Sequence, residues 1–218
     1  MRSHFDDQLN KLNEEMIHMG ILIEQSIERA SALLVSRDAE EARKLAEADD
    51  PVDRKQREIE TLCLRLILMQ QPVARDLRLI SSALKMITDM ERIGDQASDI
   101  AEIMTIPIKG PRFEFPRQMQ AMGQAAGLMV RQAVDAFVQR DVDMAHQVIQ
   151  SDDAVDALFY ETKEELLRVM RKHTEYGMQL LDALMVAKYL ERIADHAVNI
   201  AEWVEYAVSG VYKGERLQ

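Results

Sequence analysis

Cysteine is almost missing from this chain. Cys63 stands alone, so no disulfide closes within it, and a reducing, cytoplasmic setting is expected. Long apolar runs are missing too. None reaches the roughly 18–20 residues needed to cross a bilayer, so membrane contact is expected only through partners. The opening stretch Met1 to Asp7 has no apolar core of the secretory-signal kind. Positive charge is in deficit: 27 Lys and Arg face 38 Asp and Glu, a net charge of −11. Such a surface repels a phosphate backbone, which excludes nucleic acid as a partner and favours basic protein patches and cations. There is no Gly-rich phosphate loop and no His-Glu-x-x-His. Neither Cys63 nor any serine has a convincing base nearby in sequence. Catalysis lacks support, and the protein is not expected to be an enzyme.

Glycine and proline are scarce, 8 and 5 in 218 residues, so few points interrupt helices. Apolar residues recur at helical spacing almost throughout. Leu9, Leu12, Met16, Met19, Leu22, Ile23, Ile27, Ala30 and Leu34 form one stripe, which predicts a helix over 6–35. Asp38, with Glu41 three residues on, fits an N-cap with a capping-box partner. The next helix is expected to reach about Met69, with a kink or break where Pro51 falls. Gln70-Gln71-Pro72 ends it, and a third helix runs over 73–105. Pro107, Gly110, Pro111 and Pro116 mark a linker and the best domain boundary. Three more helices follow over 117–138, from the Asp141 cap to 172, and over 176–208. Gly210 and Gly214 suggest a frayed tail, and no strand-like alternation of useful length is visible.

The most informative feature is a repeat. Glu-Arg-Ile-Gly-Asp-Gln-Ala-Ser-Asp-Ile-Ala-Glu at 91–102 returns as Glu-Arg-Ile-Ala-Asp-His-Ala-Val-Asn-Ile-Ala-Glu at 191–202, with eight of twelve residues kept. Arg37-Asp38 likewise matches Arg140-Asp141, and Asp49 to Asp53 matches Asp152 to Asp156. The expected architecture is therefore all-α: two tandem, pseudo-symmetric three-helix bundles, residues 1–106 and 107–218.

On a helical wheel with Glu91 at zero, Asp95, Asp99 and Glu102 fall within about 80° of it. Ile93, Ala97, Ile100, Met90 and Met104 take the opposite side, which is the expected core. Glu191, Asp195, Asn199 and Glu202 repeat the stripe. Like charges at i, i+4 each cost a few tenths of a kcal/mol, and a hard cation such as Mg²⁺, Mn²⁺, Ca²⁺ or iron would relieve them. Asp49 with Asp53, and Asp152 with Asp156, are candidates to face the stripes from the neighbouring helix. The alternatives are a docking face for a basic partner and a plain solvated face. A metal-dependent enzyme or metal-storage bundle is the competing functional class, and a metal-free helical scaffold the third.

These residues, with Gln71-Pro72-Val73-Ala74-Arg75-Asp76-Leu77-Arg78 and both Asp-x-x-Val-Asp segments, resemble the PhoU family of phosphate-signalling proteins over nearly the whole chain. The resemblance implies two three-helix bundles and a negative regulator of the phosphate-starvation response. It implies an adaptor between the phosphate ABC transporter, through its ATPase subunit, and a sensor histidine kinase, with a homodimer as a further expectation. It also implies iron, Mg²⁺ or Mn²⁺ held by Glu91 with Asp95 and by Glu191 with Asp195. Two departures stand out between the copies: Asp99 becomes Asn199, and Gln96 becomes His196, so the two sites are expected to differ. Gly94 matches Ala194 and suggests a close helix contact. Arg75, Asp76 and Arg78 fit either helix capping with surface pairing or a docking patch.

Overall fold

The computed structural model describes residues 2–47, 51–70, 72, 74–108 and 110–216. Its main elements are α1 (Arg2–Ser36), α2 (Ala39–Ala46), α3 (Pro51–Gln70), α4 (Ala74–Met104), α5 (Arg117–Gln139), α6 (Val142–Met170) and α7 (Gly177–Ser209). A short 3₁₀ turn, Thr174–Tyr176, leads into α7. The first bundle is α1, α3 and α4, with α2 laid on α4; the second is α5, α6 and α7. The all-α, two-bundle expectation holds.

The helices form where an apolar stripe finds a neighbour. Leu12, Met16, Met19, Ile23, Ile27 and Ala30 of α1 are all fully buried or nearly so. Each such large side chain contributes about 1.5–3 kcal/mol by leaving water. The core does not stop at the boundary between halves. α4 lies along α7, α1 lies along α5, and one cluster joins Ile27, Met90, Val130 and Leu190.

Ends are set by local chemistry. α1 stops at Arg37 and α5 at Arg140, the same repeat position, each in the left-handed region at φ 54° and 58°. Asp38 caps α2 by accepting from the amides of Glu40 at 3.0 Å and Glu41 at 3.1 Å. The reciprocal half of the expected capping box is not made, because Arg29 takes the Glu41 carboxylate at 2.6 Å. Asp141 caps α6 through Met144 N at 3.0 Å. The long second helix expected from periodicity is two helices, and Pro51 opens the second, where its missing N–H costs nothing. The equivalent position in the other half is Ala154, and α6 runs through it unbroken.

The expected frayed tail is instead ordered as a hairpin. β1 (Val211–Tyr212) pairs with β2 (Glu215–Arg216) around Lys213 and Gly214, at φ 51° and 79°. Two positive φ values in a row suit a two-residue hairpin turn. Tyr212 stacks on Trp203 with ring centroids 4.1 Å apart.

The linker residues Pro111, Phe113 and Phe115 are tied down rather than loose. Gln179 accepts from Phe113 N at 2.8 Å and donates to Pro111 O at 2.9 Å. The Arg37 guanidinium lies 3.4 Å from the Phe115 ring centre.

Candidate functional site

The two acidic stripes ride on α4 and α7, the helices that carry the seam between the halves. Met90, Ile93, Ala97, Ile100 and Met104 are buried as the wheel requires. That burial exceeds the few tenths of a kcal/mol lost per like-charge pair, so the helix tolerates the stripe without needing it for stability.

The second stripe meets α6. Asp152 has an Oδ1 that is buried and accepts no hydrogen bond. Burial, then the charges of Asp156, Asp195, Glu191 and Asp153, push its carboxyl up to about 6. Asp152, Asp156, Glu191 and Asp195 are thus within electrostatic reach of one another, as the repeat suggested. Among the described residues, only Lys188 forms an ion pair with this group, at Glu191.

The first stripe is more neutralised. Arg92 bonds Asp95 at 3.0 Å and lies 3.5 Å from Glu91. Asp53 of α3 pairs with Arg57 at 3.9 Å. Asp49, the repeat counterpart of Asp152, lies outside the described residues, as do Gln71 and Val73 of the Gln-Pro-Val-Ala-Arg-Asp segment.

The remaining stripe positions turn toward the seam. Burial raises the Asp99 carboxyl, aided by Asp95 and Glu102 and opposed by Arg192 of the other half. Asn199 donates from Nδ2 to Asp89 Oδ1 at 3.2 Å, and His196 Nδ1 lies 2.8 Å from the same oxygen. The two departures between the copies are therefore one arrangement: His196 and Asn199 both serve Asp89. Tyr189, the repeat counterpart of Asp89, lies within electrostatic reach of Asp99 of the first copy. Asp89 was missed in the sequence reading. The signal was available, since positions 89, 96 and 99 all change together in the second copy.

Whether the stripes fit a cation has two answers. The chemistry fits: the donors are carboxylate oxygens, the ligand type of hard ions, and Asp152 offers a buried oxygen with nothing to bond. The convergence does not: among the described residues, no group of three or more His, Cys, Asp or Glu is gathered closely enough to hold a metal. A bound ion would have to draw the side chains together.

Other candidates resolve into structural roles. Glu15 and His18 have Glu-x-x-His spacing, but one copy only, and a ferritin-type di-iron site needs two. Glu15 is bonded by Lys55 at 2.8 Å, which holds its carboxyl below the ordinary range. Cys63 is buried, and burial pushes its thiol up to about 12, so it stays protonated. Gly94 does mark a close approach: a Cβ there would meet Val52 at 3.3 Å. Arg78 is half-buried. It lies by Gly210 at the carboxyl end of α7, where a cation suits the helix dipole.

The protein is one helical bundle used twice, each copy presenting a carboxylate face. Comparison with known proteins places it. The PhoU domain family model matches residues 16–104 and again 119–204. The chain belongs to the PhoU family. It is 37% identical over 210 residues to a phosphate-specific transport system accessory protein PhoU homolog of Clostridium acetobutylicum, covering 96% of each chain. A Pseudomonas aeruginosa homolog of the same description is 35% identical, over 94% of this chain and 86% of the relative. The crystal structure of PhoU from Pseudomonas aeruginosa superposes with a TM-score of 0.86 at 34% identity, over 95% of this chain and 100% of that one. The phosphate transport system regulatory protein PhoU from Streptococcus pneumoniae gives 0.88 at 27% identity, over 98% and 99%.

Proposed function

We propose that this protein is an accessory regulator of phosphate uptake. It acts by binding proteins, not by chemistry. It represses the phosphate-starvation response as an adaptor between the ATPase subunit of a phosphate ABC transporter and a sensor histidine kinase, at the cytoplasmic face, as a homodimer. Residues 1–106 and 107–218 are its two units, each carrying one acidic face. The family supports the accessory role, and no helix among the described residues is long and apolar enough to cross a membrane, so a membrane transporter is reached through contact.

In this reading the faces work with divalent or iron cations. Glu91, Asp95, Asp99, Asp49 and Asp53 serve the first, and Glu191, Asp195, Asn199, Asp152 and Asp156 the second. The ion supplies charge neutralisation, and the chain supplies the surface that a partner reads once its carboxylates are drawn together. The observation that carries this is Asp152, whose carboxylate is half-buried, unbonded at Oδ1 and ringed by like charge.

The test is metal content by mass spectrometry on protein purified without chelator or affinity tag. Wild type is compared with the Glu91→Ala, Asp95→Ala, Glu191→Ala, Asp195→Ala variant. Bound Mg²⁺, Mn²⁺ or iron that disappears in the variant supports the reading. Equal content in both, or none after each ion is added back, refutes the metal role. The adaptor role fails if the protein binds neither the ATPase nor the kinase with metal present.

A further inference from the structure

Among the described residues, two guanidinium groups lie without a carboxylate partner beside a cavity, in a protein that carries an excess of negative charge. The cavity holds about 500 Å³ and opens between the end of α4, the linker and the start of α7, with Arg37, Arg43, Arg112, Thr105, Gln179 and Asp182 on its walls. Arg37 is half-buried and stacked on Phe115. Stacking covers a face of the guanidinium and leaves its edge, where all its N–H groups point, for hydrogen bonding. The acceptors it now has are poor: Met104 Sδ and Phe113 O, each at 3.5 Å. Arg112 is exposed. Among the described residues, neither Arg37 nor Arg112 has a carboxylate within the 4.0 Å of an ion pair; Arg43 does, with Glu40 at 3.3 Å.

Charge in this arrangement is out of balance. Burial, and then the nearby Arg112, lower the Arg37 guanidinium to about 10, while Asp182 pulls the other way. Asp182 is itself half-buried and its carboxyl is raised by burial, so it is a weak counterion. Position adds to the case. Arg37 is held at φ 54°, a conformation that glycine adopts far more easily. The repeat places Arg140 at the same backbone geometry, yet Arg140 is exposed while Arg37 is folded under the linker.

We infer that the Arg37–Arg112 cavity is a binding site for a small tetrahedral oxyanion of the phosphate or sulfate class. Two guanidiniums approaching from different elements match a dianion with several acceptor oxygens better than a single carboxylate. Thr105 and Gln179 on the same wall add polar groups, though Gln179 is engaged by the linker. Because Arg37 and Gln179 also hold the linker between the halves, an anion here would tighten that segment. The inference stands on the guanidinium pair and does not depend on the acidic faces.

The experiment is calorimetric titration of the full chain with sodium phosphate and, separately, sodium sulfate, against a chloride background. Wild type, Arg112→Ala and Arg37→Gln are compared. Arg112→Ala removes an exposed side chain that makes no hydrogen bond among the described residues; its fold, like that of Arg37→Gln, is checked by its unfolding curve. Saturable binding of either dianion, weakened roughly tenfold or more in both variants, supports the site. Binding of both anions marks a site that reads charge and shape, and binding of phosphate alone marks one that also reads its protonation. No saturable binding of either anion by wild type overturns the inference, as does binding that survives in both variants. Unchanged metal content in Arg112→Ala keeps this test separate from that of the acidic faces.

Discussion

Asp89 Oδ1 sits 2.8 Å from His196 Nδ1 and accepts from Asn199 at 3.2 Å, joining α4 to α7 across the seam. All three side chains are partly buried. Asp89→Ala leaves the imidazole and the amide without their acceptor. A lost partner in such a setting costs about 1–3 kcal/mol, which lowers the melting temperature by several degrees. An unchanged chemical-denaturation midpoint for Asp89→Ala would show that water replaces the carboxylate at no cost.

Asp152 makes stability depend on pH. An aspartate ordinarily titrates near 3.8, and in the fold this one titrates at about 6. The folded protein therefore holds this proton more tightly than the unfolded chain. The stability linked to it is full below the unfolded value and is lost as pH rises through about 6. Asp152→Asn removes the charge and the penalty. The variant is expected to gain on wild type in metal-free buffer as pH rises from about 4 to about 7, and to hold less metal. Parallel unfolding curves at all pH values would contradict the first expectation.

Gly94 leaves room for Val52 and little more. A bare Cβ already comes within 3.3 Å of Val52 Cγ1, and Val52 is buried at the start of α3. Gly94→Val forces overlap and is expected to destabilise by about 1–3 kcal/mol. Gly94→Ala gains about 1 kcal/mol of helix propensity against the crowding and is expected to lie within about 1 kcal/mol of wild type. Thermal melts of the two variants check the order.

The tail hairpin can be read by fluorescence, because Trp203 is the only tryptophan. Tyr212 covers it, and Lys213 holds Glu202 at 3.0 Å. Tyr212→Ala is expected to shift Trp203 emission to the red by exposing the indole. Lys213→Glu places a like charge beside Glu202 and should give a shift in the same direction, reduced by salt. Emission unchanged in both variants would mean the hairpin does not cover the ring in solution.

The helix pattern, the repeat and the core face were legible in the sequence because each is local. An apolar stripe of period 3.6 specifies which side of a helix is buried, whatever covers it. Burial of Met90, Ile93, Ala97, Ile100 and Met104 followed from spacing alone, as did the caps at Asp38 and Asp141. The carboxylates also fell where the wheel put them. Their division did not show. On the wheel the stripe is one face, but in the fold Glu191 and Asp195 look to α6 while Asn199 looks to α4.

Sequence by itself thus determined the class, the duplication and the acidic character, since periodicity, charge and repetition survive in any arrangement of the helices. Tertiary structure decided what long-range packing alone can decide. It set Asp89 against His196 and Asn199, a hundred residues away. It left Asp152 half-buried among like charges, and turned an expected linker into a segment pinned by Arg37 and Gln179. It folded the tail onto Trp203. Each outcome depends on which surfaces the helices bury against one another, within a bundle or between the two, and that choice is made by the summed fit of many side chains rather than by any motif.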